Sequence, residues 1–113
     1  MAYVVAFIPD LLFGSRVVSG LRAAGHRVQL TGDPGAIDKH ADLLVIDLTS
    51  EPAERIARLR GLGIPKLAFY SHVEADVRTR AQAAGFELVV PRSRMAREGA
   101  ALVERLLGRD DQV

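Results

Sequence analysis

The chain contains no cysteine and no tryptophan, and aromatic residues make up only 5% of its 113 positions. Without cysteine there is no disulfide framework and no thiolate chemistry, a composition compatible with the cytosol. Scarce aromatics weigh against a flavin carrier, because an isoalloxazine ring wants stacking partners. Charge of one sign is also missing. The formal net charge is +1, which argues against general affinity for nucleic acid or for an anionic membrane surface. No uninterrupted apolar stretch approaches the length needed to span a bilayer. The opening residues, MAYVVAFIPDLLF, lack a basic start and soon meet Pro9 and Asp10, so a signal peptide is not expected and a cytoplasmic location is. There is no glycine-rich phosphate loop either, since Gly14, Gly20 and Gly25 do not follow the G-x-G-x-x-G spacing of dinucleotide sites. Lysine is scarce: 13 arginines stand against Lys39 and Lys66, a bias that weakens any claim resting on one arginine.

What the chain does have is apolar substance and a repeating order. Hydrophobic residues form 49% of the sequence, enough for one core, and the length fits one domain over residues 1–108 with a short flexible tail at Arg109–Val113. Five short β-rich runs recur: Tyr3–Ile8, Val28–Leu30, Leu43–Leu48, Ile64–Tyr70 and Phe86–Val90. They are too short for helices. Helix-like segments alternate with them at Leu11–Ala24, between a cap at Ser50 and a stop at Gly63 (Pro52 in the first turn, Ile56 and Leu59 facing the core), at Glu74–Ala84, and from a cap at Ser93 to Leu107. Leu12, Val17, Val18 and Leu21 take near-helical spacing in the first, and Met95, Leu102, Val103 and Leu106 mark the inward side of the last. The segment Ala36–His40 is weakly patterned and reads either as a brief helix or as an irregular crossover. Ser50 and Ser93 stand where N-caps are expected. Three helix-to-strand joints look alike, RAAGHRV, RGLGIPKL and QAAGFELV, each with glycine as the expected helix terminator.

The third run, ADLLVIDLTS at Ala41–Ser50, does not alternate between apolar and polar. Such a run implies burial on both faces, as in a central parallel strand. With the right-handed crossover rule, the pattern predicts an α/β protein: a three-layer α/β/α sandwich whose five-stranded parallel sheet has order 2-1-3-4-5 and helices on both faces. Ligands in such sheets bind at the carboxyl ends of the strands. The third run ends on an acid there, Asp47. Asp47 reads as a phospho-acceptor or ligand contact, or as an acid capping its own turn. Asp10 reads as a cation ligand or as an N-cap. Ser71 and His72 follow the fourth run, and PRSRMAR sets Arg92, Ser93, Arg94 and Arg97 around the start of the last helix. Arginines there oppose the helix dipole, which suits an anion site as well as a solvated surface. A Ser/His/Asp hydrolase lacks its G-x-S-x-G elbow, and His26 is expected at the opposite end of the sheet from His72, so no histidine metal site is expected.

ADLLVIDL, IPKLAFYS and QAAGFELVVPRS together resemble the receiver domain of bacterial response regulators over nearly the whole chain. The resemblance implies aspartyl phosphorylation in a phosphorelay: an acceptor at Asp47, Mg²⁺ held by an acid pair after the first strand, a Ser/Thr after the fourth and a lysine after the fifth. Here the acid pair falls on Ile8 and Pro9, with Asp10 one residue beyond. The Ser/Thr position falls on Tyr70, followed by Ser71, and the lysine position on Arg92. Mg²⁺ wants near-octahedral oxygen ligation, and only Asp10 and Asp47 are on hand to supply carboxylates. The expectation is therefore a pseudo-receiver that signals or adapts by binding, with no resident cofactor. Its ligand surface is Ser71, His72, Arg92, Ser93 and Arg94, and its protein partner or second copy meets the last two helices and the fifth strand. The alternatives are an atypical phospho-receiver with Arg92 in place of lysine, and a small flavodoxin-like enzyme or cofactor carrier.

Overall fold

The computed structural model describes residues 1–108; the tail expected at Arg109–Val113 lies outside the described residues. Five strands, β1 (Tyr3–Phe7), β2 (Arg27–Thr31), β3 (Leu43–Asp47), β4 (Lys66–Tyr70) and β5 (Leu88–Pro91), alternate with four helices. These are α1 (Leu11–Ala23), α2 (Pro52–Leu59), α3 (Ala75–Ala83) and α4 (Arg92–Gly108). The strands form one sheet of order β2-β1-β3-β4-β5, all pairs parallel. Burial on both faces of β3 and β4 leaves every one of their residues inside, which is why neither run alternates.

The pleat divides the core into two layers. On one face Val4, Ala6, Leu43, Val45, Leu67 and Phe69 pack beneath α1 and α4. On the other, Val5, Leu44, Ile46, Ala68 and Val89 pack beneath α2 and α3. Each valine, leucine, isoleucine or phenylalanine among them taken fully out of water contributes about 1.5–3 kcal/mol, so the sheet is held from both sides. Among the described residues, no helix is long and apolar enough to cross a membrane.

The link from β2 to β3 contains only a single 3-10 turn, Pro34–Ala36, closed by Asp33, whose carboxylate accepts from the Gly35 N–H at 2.8 Å. The weak patterning of Ala36–His40 thus marks an irregular crossover. Of this link, Ile37 and Ala41 pack onto the core. Among the described residues, no α-helix stands between β2 and β3.

Several local expectations give way to the tertiary structure. In α1 it is Phe13 that turns inward, while Leu12 is 83% exposed. Asp10 is the N-cap, and counting from it the buried positions are Phe13, Gly14, Val17, Val18 and Leu21. Ser50 does not cap α2: Glu51 occupies that place, in a left-handed conformation (φ 48°, ψ 48°) with no side-chain cap bond. Ser93 does not precede α4 but sits in its first turn, because the helix starts at Arg92 directly out of β5. The three glycine joints differ as well. Gly25 (φ 96°) and Gly85 (φ 92°) take the left-handed conformation that lets a helix end and turn back. Gly63 does not, and the α2–β4 joint is closed instead by Lys66.

Lys66 and His26 occupy the N-terminal end of the sheet, both buried. The Lys66 ammonium donates to the carbonyls of Leu62 and Ile64, the latter at 2.8 Å. Burial pushes its pKa below the ordinary lysine value, against the opposing attraction of Glu87. His26 Nδ1 accepts from the Ala2 N–H at 3.2 Å, which leaves Nε2 to face the Glu104 carboxylate of α4. The imidazole thereby ties the first strand, the second strand and the last helix together.

Candidate functional site

Because the strands are parallel, their C-terminal ends open on one edge, where the loops after β1, β3, β4 and β5 converge. Asp47 is the last residue of β3 and lies opposite Phe69 in the register with β4. Only 4% of it is exposed. A buried carboxylate needs hydrogen bonds, and Asp47 finds them in its own loop. Its Oδ1 accepts from the backbone N–H of Thr49 at 2.8 Å and from the Thr49 hydroxyl at 2.5 Å. The Asp47 backbone carbonyl accepts from Arg55 Nη1 at 2.8 Å, and that guanidinium lies 5.1 Å above the Phe7 ring.

Asp10 does different work. Its Oδ1 accepts from the Phe13 N–H at 3.1 Å, capping α1, and its Oδ2 stands 3.8 Å from Arg92 Nη2 with both side chains half exposed. An ion pair this open and this long contributes little, about 0–1 kcal/mol. Arg92 also lies 4.1 Å over the face of Phe13, and Phe13 in turn packs 5.0 Å from Phe69. A chain of stacked groups thus runs from the α4 start through α1 to the strand beside Asp47.

The remaining residues proposed from the sequence spread along the same edge. Ser71 is half-buried and His72 exposed, on a turn closed by the Glu74 N–H donating to the Ser71 carbonyl at 2.8 Å. Ser93 is exposed. Arg94 turns to Glu98, its Nε 3.5 Å from the carboxylate, and Arg97 approaches the same acid at 3.6 Å. Glu98 itself breaks the helical conformation (φ −126°, ψ 16°), so α4 kinks there. Arg92 and Arg94 each face an acid of this chain, and neither turns its charge wholly outward.

Among the described residues, no three histidine, aspartate or glutamate side chains converge to hold a metal ion. The donor set expected for Mg²⁺, Asp10 and Asp47, is divided between a helix cap and a loop turn, which does not fit that cation's demand for clustered oxygens.

Sequence reasoning passed over several residues of this edge. Thr49 could have been noticed, since an acid followed two residues later by threonine suits an Asx-type turn. Arg55 carries no such signal, because its link to Asp47 is made by the packing of α2 on the sheet. Leu11 and Val73 were also missed. With Leu12 they are 72%, 76% and 83% exposed, and all three sit on segments that leave the C-terminal ends of β1 and β4.

No protein-family model matches the chain, and no curated protein is significantly similar to it. Solved structures do match. A response regulator receiver protein from Burkholderia phymatum superposes with a TM-score of 0.76 at 21% identity, covering 96% of each chain. The receiver domain of a Francisella response regulator gives a TM-score of 0.79 at 13% identity, over 97% of this chain and 99% of that one. A response regulator from Thermotoga maritima gives 0.79 at 13% identity, over 96% and 98%. The chain therefore has the receiver fold from end to end of its described part.

Proposed function

We propose that this chain is a receiver-like signalling or adaptor protein of the cytoplasm that acts by binding at the C-terminal edge of its sheet and not by phosphotransfer. The observation that carries this reading is the condition of Asp47. Its carboxylate is buried and bonded to Thr49 through both the backbone N–H and the hydroxyl, while the nearest acid of the β1 loop is committed to capping α1. An acyl phosphate at Asp47 would carry about two negative charges at a site whose cation, Arg92, already faces Asp10.

The edge supports binding in two ways. Leu11, Leu12 and Val73 expose apolar surface there, and large apolar side chains grouped in one region suit a contact with a partner. Arg92, Ser93 and Arg94 beside them, with Ser71 and His72, supply donors for an acidic segment or small anion. The contact extends from this edge onto α3, β5 and α4, where a protein partner or a second copy completes the assembly.

Intact-mass spectrometry after incubation with acetyl phosphate and Mg²⁺ tests the reading, with Asp47→Asn as control. The expected result is no phosphoryl adduct on either protein. An adduct present on the natural chain and lost in Asp47→Asn would make it a working phospho-receiver with Arg92 in the lysine role.

A further inference from the structure

The shortened link between β2 and β3 leaves a cleft of about 260 Å³ on the α2 side of the sheet. Its floor is Phe7, one wall is Gly32 from the link, and the other is the polar side of α2 with Glu51, Glu54, Arg55 and Arg58. Among the described residues, the link above this ground holds a single 3-10 turn and no α-helix.

Arg55 is the unusual member. Its side chain is only 11% exposed, yet of the five N–H donors a guanidinium carries, one is bonded, to the Asp47 carbonyl. The Glu51 carboxylate stands 3.8 Å from Nη2, an ion pair that makes no hydrogen bond. No fully buried side-chain nitrogen or oxygen among the described residues lacks a partner, so the unused donors of Arg55 reach open space, and the space this residue lines is the cleft. Glu51 adds a second sign. It is the sole non-glycine residue with positive φ among those described, and strained backbone of this kind gathers at ligand clamps.

Charge and size narrow the occupant. A simple anion meets Glu51 and Glu54, and a simple cation meets Arg55 and Arg58. The volume lies just below the range of about 300–1,000 Å³ that holds drug-sized ligands. We infer that the cleft binds a small zwitterion of the α-amino-acid class, its carboxylate forked on Arg55 with support from Arg58 and its ammonium on Glu51 and Glu54. Arg55 joins this cleft to the C-terminal end of β3, so occupancy pulls on the carbonyl of Asp47 and reaches the edge described above.

The test is ¹H–¹⁵N spectroscopy of the full chain with each common α-amino acid at about 10 mM, tenfold above a millimolar Kd. Any binder is then compared with its N-acetyl and carboxamide forms and with inorganic phosphate alone. The expected result is that at least one free amino acid shifts Gly32, the Glu51–Leu59 backbone and the Arg55 Nε–H, and that both blocked forms bind at least about tenfold more weakly, each having lost a charge–charge contact. Glu54→Gln and Arg58→Ala, both at exposed positions, weaken binding and leave the β5 resonances in place. The inference is overturned if no free amino acid moves these resonances, if a blocked form binds as well as the free one, or if phosphate alone gives the same shifts. None of these outcomes depends on whether Asp47 accepts a phosphoryl group.

Discussion

At the N-terminal end of the sheet, His26 and Lys66 are buried with their polar atoms bonded to carbonyls, a backbone N–H and Glu104. At the C-terminal end, Arg92 and Asp10 face each other half exposed across 3.8 Å, beside leucines and a valine open to water. Ionisable side chains are buried and bonded at one end and left accessible at the other. The cause lies in the connections. At the N-terminal end the helix-to-strand joints are tight and enclose whatever they carry. At the other end the loops must travel outward before the next helix begins, and they leave side chains on the surface.

Substitutions at the two ends should therefore cost very different amounts. The largest loss belongs to Lys66→Met, which removes the donor from the Leu62 and Ile64 carbonyls; we expect about 2–3 kcal/mol in urea unfolding. His26→Ala strips the partner from the Ala2 N–H and from Glu104, and should cost about 2 kcal/mol by the same measurement. A double-mutant cycle of His26→Ala with Glu104→Ala then isolates the part carried by their contact. At the opposite end, Asp10→Ala loses an N-cap and should cost about 1 kcal/mol. Leu11→Ser combined with Leu12→Ser, both exposed, should change stability by less than about 0.5 kcal/mol. A larger loss from the leucine pair than from Lys66→Met would erase the contrast between the ends.

Titration sharpens the same comparison. Burial lowers the Lys66 pKa below 10.5 in the folded chain, so the unfolded chain binds more protons between the folded value and 10.5. Stability then rises with pH across that window, because the folded state no longer holds a buried ammonium. The stability gap between the natural chain and Lys66→Met should widen as pH rises through that window if Lys66 is the source. A difference that stays constant would show that the buried amine does not titrate.

Much of the fold was legible because it rests on patterns that repeat. Five apolar runs of strand length, helical segments between them and the unbroken burial of Leu43–Asp47 are enough to specify a parallel sheet and its order. The misread details were all single positions. Leu12 fits helical spacing, and only the placement of the Asp10 cap rotates Phe13 inward in its stead. Ser50 is a good cap by residue type, yet the backbone enters α2 through Glu51. The site was legible as a place and less so as a geometry. Asp47 could be assigned to the edge from its strand, whereas its bonds to Thr49 and Arg55 arise from loop closure and helix packing.

Taken alone, the sequence determines the strand and helix order, the two-faced burial of the central strands and the edge on which the polar loops meet, because hydrophobic period and glycine position act locally along the chain. Only the tertiary structure decides that Asp47 folds back on Thr49, that Arg92 lies over Phe13, and that a cleft opens where the β2–β3 link is short. Those outcomes join residues far apart in the chain through directions and distances that no local pattern encodes.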